Sequence, residues 1–249
     1  MTSQTGTHRG AAGYARDMEP IPETREALRR LAAGGDEQLG QDLGEAASAL
    51  SVRVPGLVGF SITVVDQGIT LTYLASTALV AGLDGLQYLD GGPCEHALDT
   101  GEIVEADHSG LMDEGRWALF ARASDSSGVG STLSFPILEG EHVVGGVNVY
   151  GAEADTFDGR HDELADLFGG WAPGAVTNAD LSFTSRLEAA RAVSRLEDMA
   201  VVDLAVGVLV AALAISPAAA TQRLEHAAAR AGVTTFEVAR LLLEGWTRR

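Results

Sequence analysis

The sequence predicts an α+β domain, an antiparallel sheet flanked by helices, followed by a long helix and an all-α three-helix unit. Three observations carry that expectation. Two pairs of β-branched and aromatic runs are each joined by a short polar turn. Apolar residues at helical spacing stand before, between and after those pairs. Past Pro173 strand-like runs stop altogether.

The elements follow in order. Residues 1–20, rich in Gly, Thr and Arg, read as a disordered tail. From Pro22 to Leu50, Leu28, Leu31, Leu39, Leu43 and Leu50 keep helical spacing, with a break at Gly34-Gly35. Leu57–Asp66 and Ile69–Ala75 form the first strand pair around Gln67-Gly68, and Gly130–Leu138 and His142–Gly151 the second around Glu139-Gly140-Glu141. Between the pairs we expect a loop, a short helix beginning near Pro93 and another over Arg116–Ala123; a further helix follows Asp158. This order describes an α+β sheet domain over 21–177.

A connecting helix is expected over 178–198, running on towards Leu213, with a three-helix unit over 199–249. Ser216-Pro217 is an N-cap followed by proline at the first helical position. Gly232 stops that helix, and Thr234-Thr235-Phe236-Glu237 has capping-box spacing for the last one.

Composition narrows the function. The 249 residues carry 17 basic side chains, all arginine, against 35 acidic ones, a net charge of -18. The excess is uneven: residues 1–184 hold 9 Arg and 28 Asp+Glu, residues 185–249 hold 8 Arg and 7 Asp+Glu. The acidic part repels polyanions, so any nucleic-acid contact falls to the C-terminal part. One cysteine excludes an internal disulfide, and no Cys/His cluster has zinc-site spacing. There is no apolar signal core, and no apolar run reaches about 18 residues, so a cytoplasmic protein with no membrane partner is expected.

A longer ordered set of residues then points to a family. Leu86-Gln87-Tyr88-Leu89-Asp90-Gly91-Gly92-Pro93-Cys94, Arg116-Trp117, Leu133-Ser134-Phe135-Pro136, Gly145-Gly146-Val147-Asn148-Val149-Tyr150 and Phe157-Asp158 resemble a GAF domain of the type found in actinobacterial GAF–ANTAR regulators. Ala205, Gly207-Val208-Leu209, Ser216, Ala220, Leu224, Ala228 and Val238-Ala239 resemble an ANTAR domain. That resemblance implies a GAF sensor followed by a three-helix ANTAR unit that binds RNA hairpins in transcription antitermination. The ANTAR unit is divergent: Met199 and Val206 stand where the family has arginine and lysine.

Arg223, His226 and Arg230 lie at i, i+3 and i+7, one helical face, and with Arg240 are the RNA-binding candidates; a merely solvated face is the alternative. Tyr73, Tyr88, Cys94, Trp117 and Asn148 are candidates for lining a GAF ligand pocket, or for filling its core. Cys94 opens a helix, where a thiol is activated, but equally suits packing as a small buried residue. The pairs Glu95-His96, Asp107-His108 and Glu141-His142 read as surface residues. Phe183, Leu187, Ala190, Val193 and Leu196 form an apolar stripe with no sheet left to receive it, which predicts a homodimer. No nucleophile elbow, Walker loop or metalloprotease helix is present, so no catalytic residue, metal or cofactor is expected. The expected function is a non-enzymatic, signal-responsive RNA-hairpin binder, or else a dimeric protein-interaction regulator whose ANTAR unit has lost RNA binding.

Overall fold

A computed structural model describes residues 50, 52–107, 110–111, 117–169, 172, 176, 187, 190–191 and 196–247. The expected tail and almost all of the helix before Leu50 lie outside the described residues.

Strand β1 (Leu57–Asp66) turns back on β2 (Ile69–Ala75) through Gln67 and Gly68, both with positive φ, 49° and 78°, as a two-residue hairpin turn requires. β4 (Ser131–Glu139) and β5 (His142–Gly151) form the second hairpin. A further short strand, β3 (Val104–Asp107), pairs with β4, so the sheet has five antiparallel strands in the order β2-β1-β5-β4-β3.

The stretch expected to be a loop before Pro93 is instead helix α1 (Ala78–Asp90), capped by Thr77, whose hydroxyl accepts from the Val80 amide at 3.1 Å. Two features hide this helix. It contains Gly82 and Gly85, and it is buried on nearly every side, so no amphipathic period shows. α2 (Pro93–Thr100) begins with proline at its first position and ends at Gly101 in the left-handed region. α3 (Ala118–Ser126) and α4 (His161–Gly169) complete the first part.

Strand alternation divides the sheet into two unlike faces. Phe60, Ile62, Val64, Leu133, Phe135, Ile137, Val147 and Val149 face one way and pack with Leu164 and Phe168 of α4. The face towards α1 is buried but polar, bearing Ser61, Thr63, Thr72, Ser134 and Asn148.

Three helices end the chain: α5 (Leu196–Leu213), α6 (Pro217–Ala231) and α7 (Thr235–Thr247). Ser216 caps α6 by accepting from Ala219 N at 3.2 Å, and Gly232 ends it at φ 71°. The capping box is formed in full: Glu237 accepts from the Thr234 amide at 2.8 Å, while the Glu237 amide donates to Thr234 Oγ1 at 3.2 Å. Arg191 stands in a turn, and most of the connecting helix expected over 178–198 lies outside the described residues.

α6 and α7 do not stand apart from the sheet domain. α1 and α3 share one hydrophobic core with them, joining Leu83, Leu86 and Phe120 to Leu224, Val238, Leu241 and Leu242. The two glycines of α1 make room for this packing. A Cβ at Gly82 would stand 2.3 Å from Leu241 Cδ1, and one at Gly85 would stand 3.0 Å from Val238 Cγ2.

Candidate functional site

The polar layer between sheet and α1 is built around Asp84, which is 1% exposed. Helical spacing puts Asp84, Gln87 and Tyr88 on the side of α1 facing the sheet. Strand alternation brings Ser61, Thr72, Asn148 and Tyr150 to meet them. Asp84 accepts side-chain hydrogen bonds from Thr72 Oγ1 at 2.9 Å, from Asn148 Nδ2 at 3.2 Å, a short one from Tyr150, and one from Ser61. Tyr88 donates to Thr72 Oγ1 at 2.9 Å. Gln87 Nε2 donates to the Tyr150 hydroxyl at 2.9 Å, and Gln87 Oε1 accepts from the Cys94 amide at 2.7 Å. Asn148 also donates to Ser61 and accepts from Ser134.

The electrostatics follow from burial. Loss of water raises the Asp84 carboxyl from its ordinary 3.8 to about 6, although its four hydrogen-bonding neighbours pull it down. Burial, and then the Asp84 charge, push the Tyr88 and Tyr150 hydroxyls up, which keeps both as proton donors. Cys94 is 1% exposed and its thiol is pushed up to about 12 by burial first and the Asp84 charge second. A thiol so disposed is not a reactive thiolate, and its place is in the packing of α2 on the sheet.

The five pocket candidates are thus divided. Tyr88, Cys94 and Asn148 meet in the polar layer. Tyr73 belongs to the apolar cluster on the opposite face of the sheet. Trp117 lies over Gly91, with its ring centre 5.8 Å from that of His96. Asp84, Gln87, Thr72 and Tyr150 join the polar layer, although Gln87 and Tyr150 stand out in the sequence only as part of the GAF resemblance, and Asp84 and Thr72 are not among its residues. Their signal was an acid inside an apolar run, and polar residues at alternate positions of strands whose other face is wholly apolar.

A groove of about 650 Å³ runs between the sheet domain and α6. Arg223, His226 and Arg230 line its α6 wall; Glu95, Asp99, Tyr88 and Gly68–Thr70 line the other. Arg230 crosses it. Its Nε donates to Thr70 O at 2.8 Å, its guanidinium makes a short ion pair with Glu95, and its Cζ lies 4.0 Å from the centre of the Tyr88 ring. Arg240, on α7, pairs with Glu244 one turn on. Among the stripe residues, Ala190 is buried in the chain's own core and accepts from Thr235 Oγ1 at 2.6 Å, and Leu187 packs against the same core. Phe183 and Val193, and the side chain of Leu196, lie outside the described residues.

Among the described residues no group of three His, Cys, Asp or Glu side chains could hold a metal ion. No single described helix is long and apolar enough to cross a membrane; α5 and α6 reach that composition only together, and the chain bends by 109° between them.

Comparison with known proteins bears on this arrangement. No curated protein matches the chain. A solved structure described as fRMsr of Staphylococcus aureus in its reduced form is similar at 11% identity, covering 64% of this chain and 98% of that one, with a TM-score of 0.39. The GAF domain family model matches residues 38–172, and the ANTAR domain model residues 190–243. The chain therefore belongs to the GAF domain family and carries an ANTAR domain behind its GAF domain, the order of a GAF–ANTAR regulator.

Proposed function

We propose that this chain is a cytoplasmic, non-enzymatic regulator that senses a signal in its GAF domain and binds RNA hairpins in nascent transcripts through its ANTAR domain, promoting antitermination. The GAF and ANTAR matches give the coarser reading of a signal-sensing regulator with an RNA-binding type of output domain. The observation that carries the finer one is the polar face of α6. Arg223, His226 and Arg230 line a single groove, and two guanidinium forks on one helical face suit phosphate oxygens. The signal is a small-molecule ligand of the GAF domain. We further propose that two copies act together as a homodimer, engaging two loops of one transcript.

The test is hairpin binding by the full chain across a salt series. Affinity should fall with rising salt, and Arg223→Ala should weaken binding by roughly 1 kcal/mol and flatten that dependence. Salt-independent binding, or an unchanged slope in the variant, would remove Arg223 from the RNA interface.

One observation favours a second reading, a protein-interaction regulator without RNA binding. Met199 is 52% exposed and apolar where the resemblance calls for arginine. Absence of hairpin binding by the wild type even at low salt, with binding gained by Met199→Arg, would decide for it.

A further inference from the structure

The buried GAF layer and the ANTAR helix α6 meet at two pairs of neighbouring residues. At the end of α1, Gln87 lies wholly inside the layer, while Tyr88 has its hydroxyl in the layer and its ring under Arg230. At the start of α2, Cys94 faces the layer and Glu95 holds Arg230. Three elements of the GAF domain therefore grip one arginine of α6: β2 through Thr70 O, α1 through Tyr88, and α2 through Glu95. Arg223 and His226 open on the same groove, opposite Glu95 and Asp99. Burial raises the Asp90 carboxyl, and the charge of Arg223 pulls it back down.

We infer that this GAF surface, centred on Glu95 and Tyr88, is a docking site for α6 of the same chain that excludes RNA. Glu95 occupies at Arg230 the place an RNA phosphate would take. The inference rests on the RNA-binding function proposed above. Thr70 O, Glu95 and the Tyr88 ring enclose the guanidinium, whose side chain is only 18% exposed, so a phosphate reaching it must displace Glu95 and part α6 from the GAF surface. The arrangement described is the closed, RNA-silent state. Glu95 and Tyr88 are covalent neighbours of Cys94 and Gln87, which bond each other within the layer.

Closure is fixed a second time by α7 on α3. A Cβ at Gly245 would stand 2.7 Å from Ala123 N and 2.8 Å from Arg122 C, so any side chain there forces α7 away from backbone that has no rotamer to yield. The clasp and this contact can be broken separately.

The test compares four full-length proteins: wild type, Glu95→Gln, Gly245→Val and Glu139→Gln. Hairpin affinity is measured at one fixed salt concentration, with hydrogen exchange over 217–231 as an RNA-free readout of docking. Glu139 is an exposed acid on β4, so its variant controls for the change in net charge. The expected result is a gain in affinity of about fivefold to a hundredfold for Glu95→Gln and Gly245→Val, faster exchange in α6, and less than twofold for Glu139→Gln. Adding Arg230→Ala to Glu95→Gln should abolish the gain. If the wild type binds and Glu95→Gln stays within twofold of it, or if Glu139→Gln gains as much, docking does not exclude RNA, while the RNA-binding function stands. If none of the four binds at low salt, the RNA-binding function itself fails and the inference with it. Should Gly245→Val fail to fold, Glu95→Gln decides alone, since Glu95 is partly exposed and its amide keeps the shape of the side chain.

Discussion

The guanidinium carbon of Arg230 lies 4.0 Å above the Tyr88 ring, while the hydroxyl of that tyrosine is 2.9 Å from Thr72 Oγ1 in the buried polar layer. One side chain thus has the ANTAR domain on its face and the interior of the GAF domain at its tip. The contact should be measurable as stability. Arg230→Ala removes a partly buried ion pair and a cation–π contact, and should lower unfolding free energy by about 1–2 kcal/mol in urea titration. Arg230→Lys keeps the charge and loses the fork that reaches Thr70 O and Glu95 together, so it should recover less than half of the loss. Full recovery by lysine would reduce the contact to simple charge.

Asp84 should make folding stability depend on pH in an unusual direction. An acid whose folded pKa lies above its unfolded value holds its proton more tightly when folded. Its favourable contribution is therefore present at low pH and is lost as pH rises from about 4 through about 6. Between pH 7.5 and 4.5 the wild type should gain about 2 kcal/mol relative to Asp84→Asn, which cannot titrate. Denaturation of both proteins at a series of pH values gives the difference. A difference that stays flat would show that the carboxyl titrates as an ordinary exposed acid.

Cys94 should be inert in the folded protein. Its thiol is buried and pushed up to about 12, so almost none is thiolate at neutral pH. A thiol reagent should label one group per chain in denaturant and label it far more slowly without. Rapid labelling of the native protein would mean that α2 lifts from the sheet readily.

The glycines at the helix contacts separate two kinds of close approach. At Gly82 the near atom is Leu241 Cδ1, the tip of a side chain, whereas at Gly245 it is the backbone of Ala123. Alanine improves helix propensity by about 1 kcal/mol at either site. Gly245→Ala should nonetheless lower stability by about 1–2 kcal/mol, because overpacking against fixed backbone outweighs that gain. Gly82→Ala should cost less, since Leu241 can change rotamer. Thermal unfolding of the two variants ranks them, and the reverse order would show α3 to be the more yielding helix.

These glycines also explain what was legible in the sequence. β1, β2, β5, α2 and the caps of α6 and α7 could be read directly, because alternation, a two-residue turn and capping residues are local signals. α1 could not be read. Gly82 and Gly85 look like helix breakers until α7 and α6 are seen packed against them, which is a long-range fact. β3 was missed because four residues are too short to show a period. The candidate site was half legible. Tyr88, Cys94 and Asn148 stand out as candidates, but Asp84 sits in a stretch without a local helix signal, and nothing in sequence spacing shows that Arg230 reaches Glu95 across 135 positions.

α5 is apolar apart from Glu197, Asp198 and Asp203, yet among its described side chains only Ala205 and Leu209 are fully buried. Leu204 remains 64% exposed and Met199 52%. Large apolar side chains left exposed on one helix are normally covered, and a second copy of the same helix supplies a matching surface. The wild type should therefore have twice its 25.9 kDa mass by light scattering at micromolar concentration. Leu204→Asp should shift that mass towards the single chain while leaving thermal unfolding of the monomer little changed, because its side chain touches water already. Leu187→Asp should behave differently. Leu187 packs against the chain's own core, so a charge there should lower stability at any concentration. A single-chain mass for the wild type across the micromolar range would refute the dimer. Equal loss of stability in both variants would instead place Leu204 inside the fold.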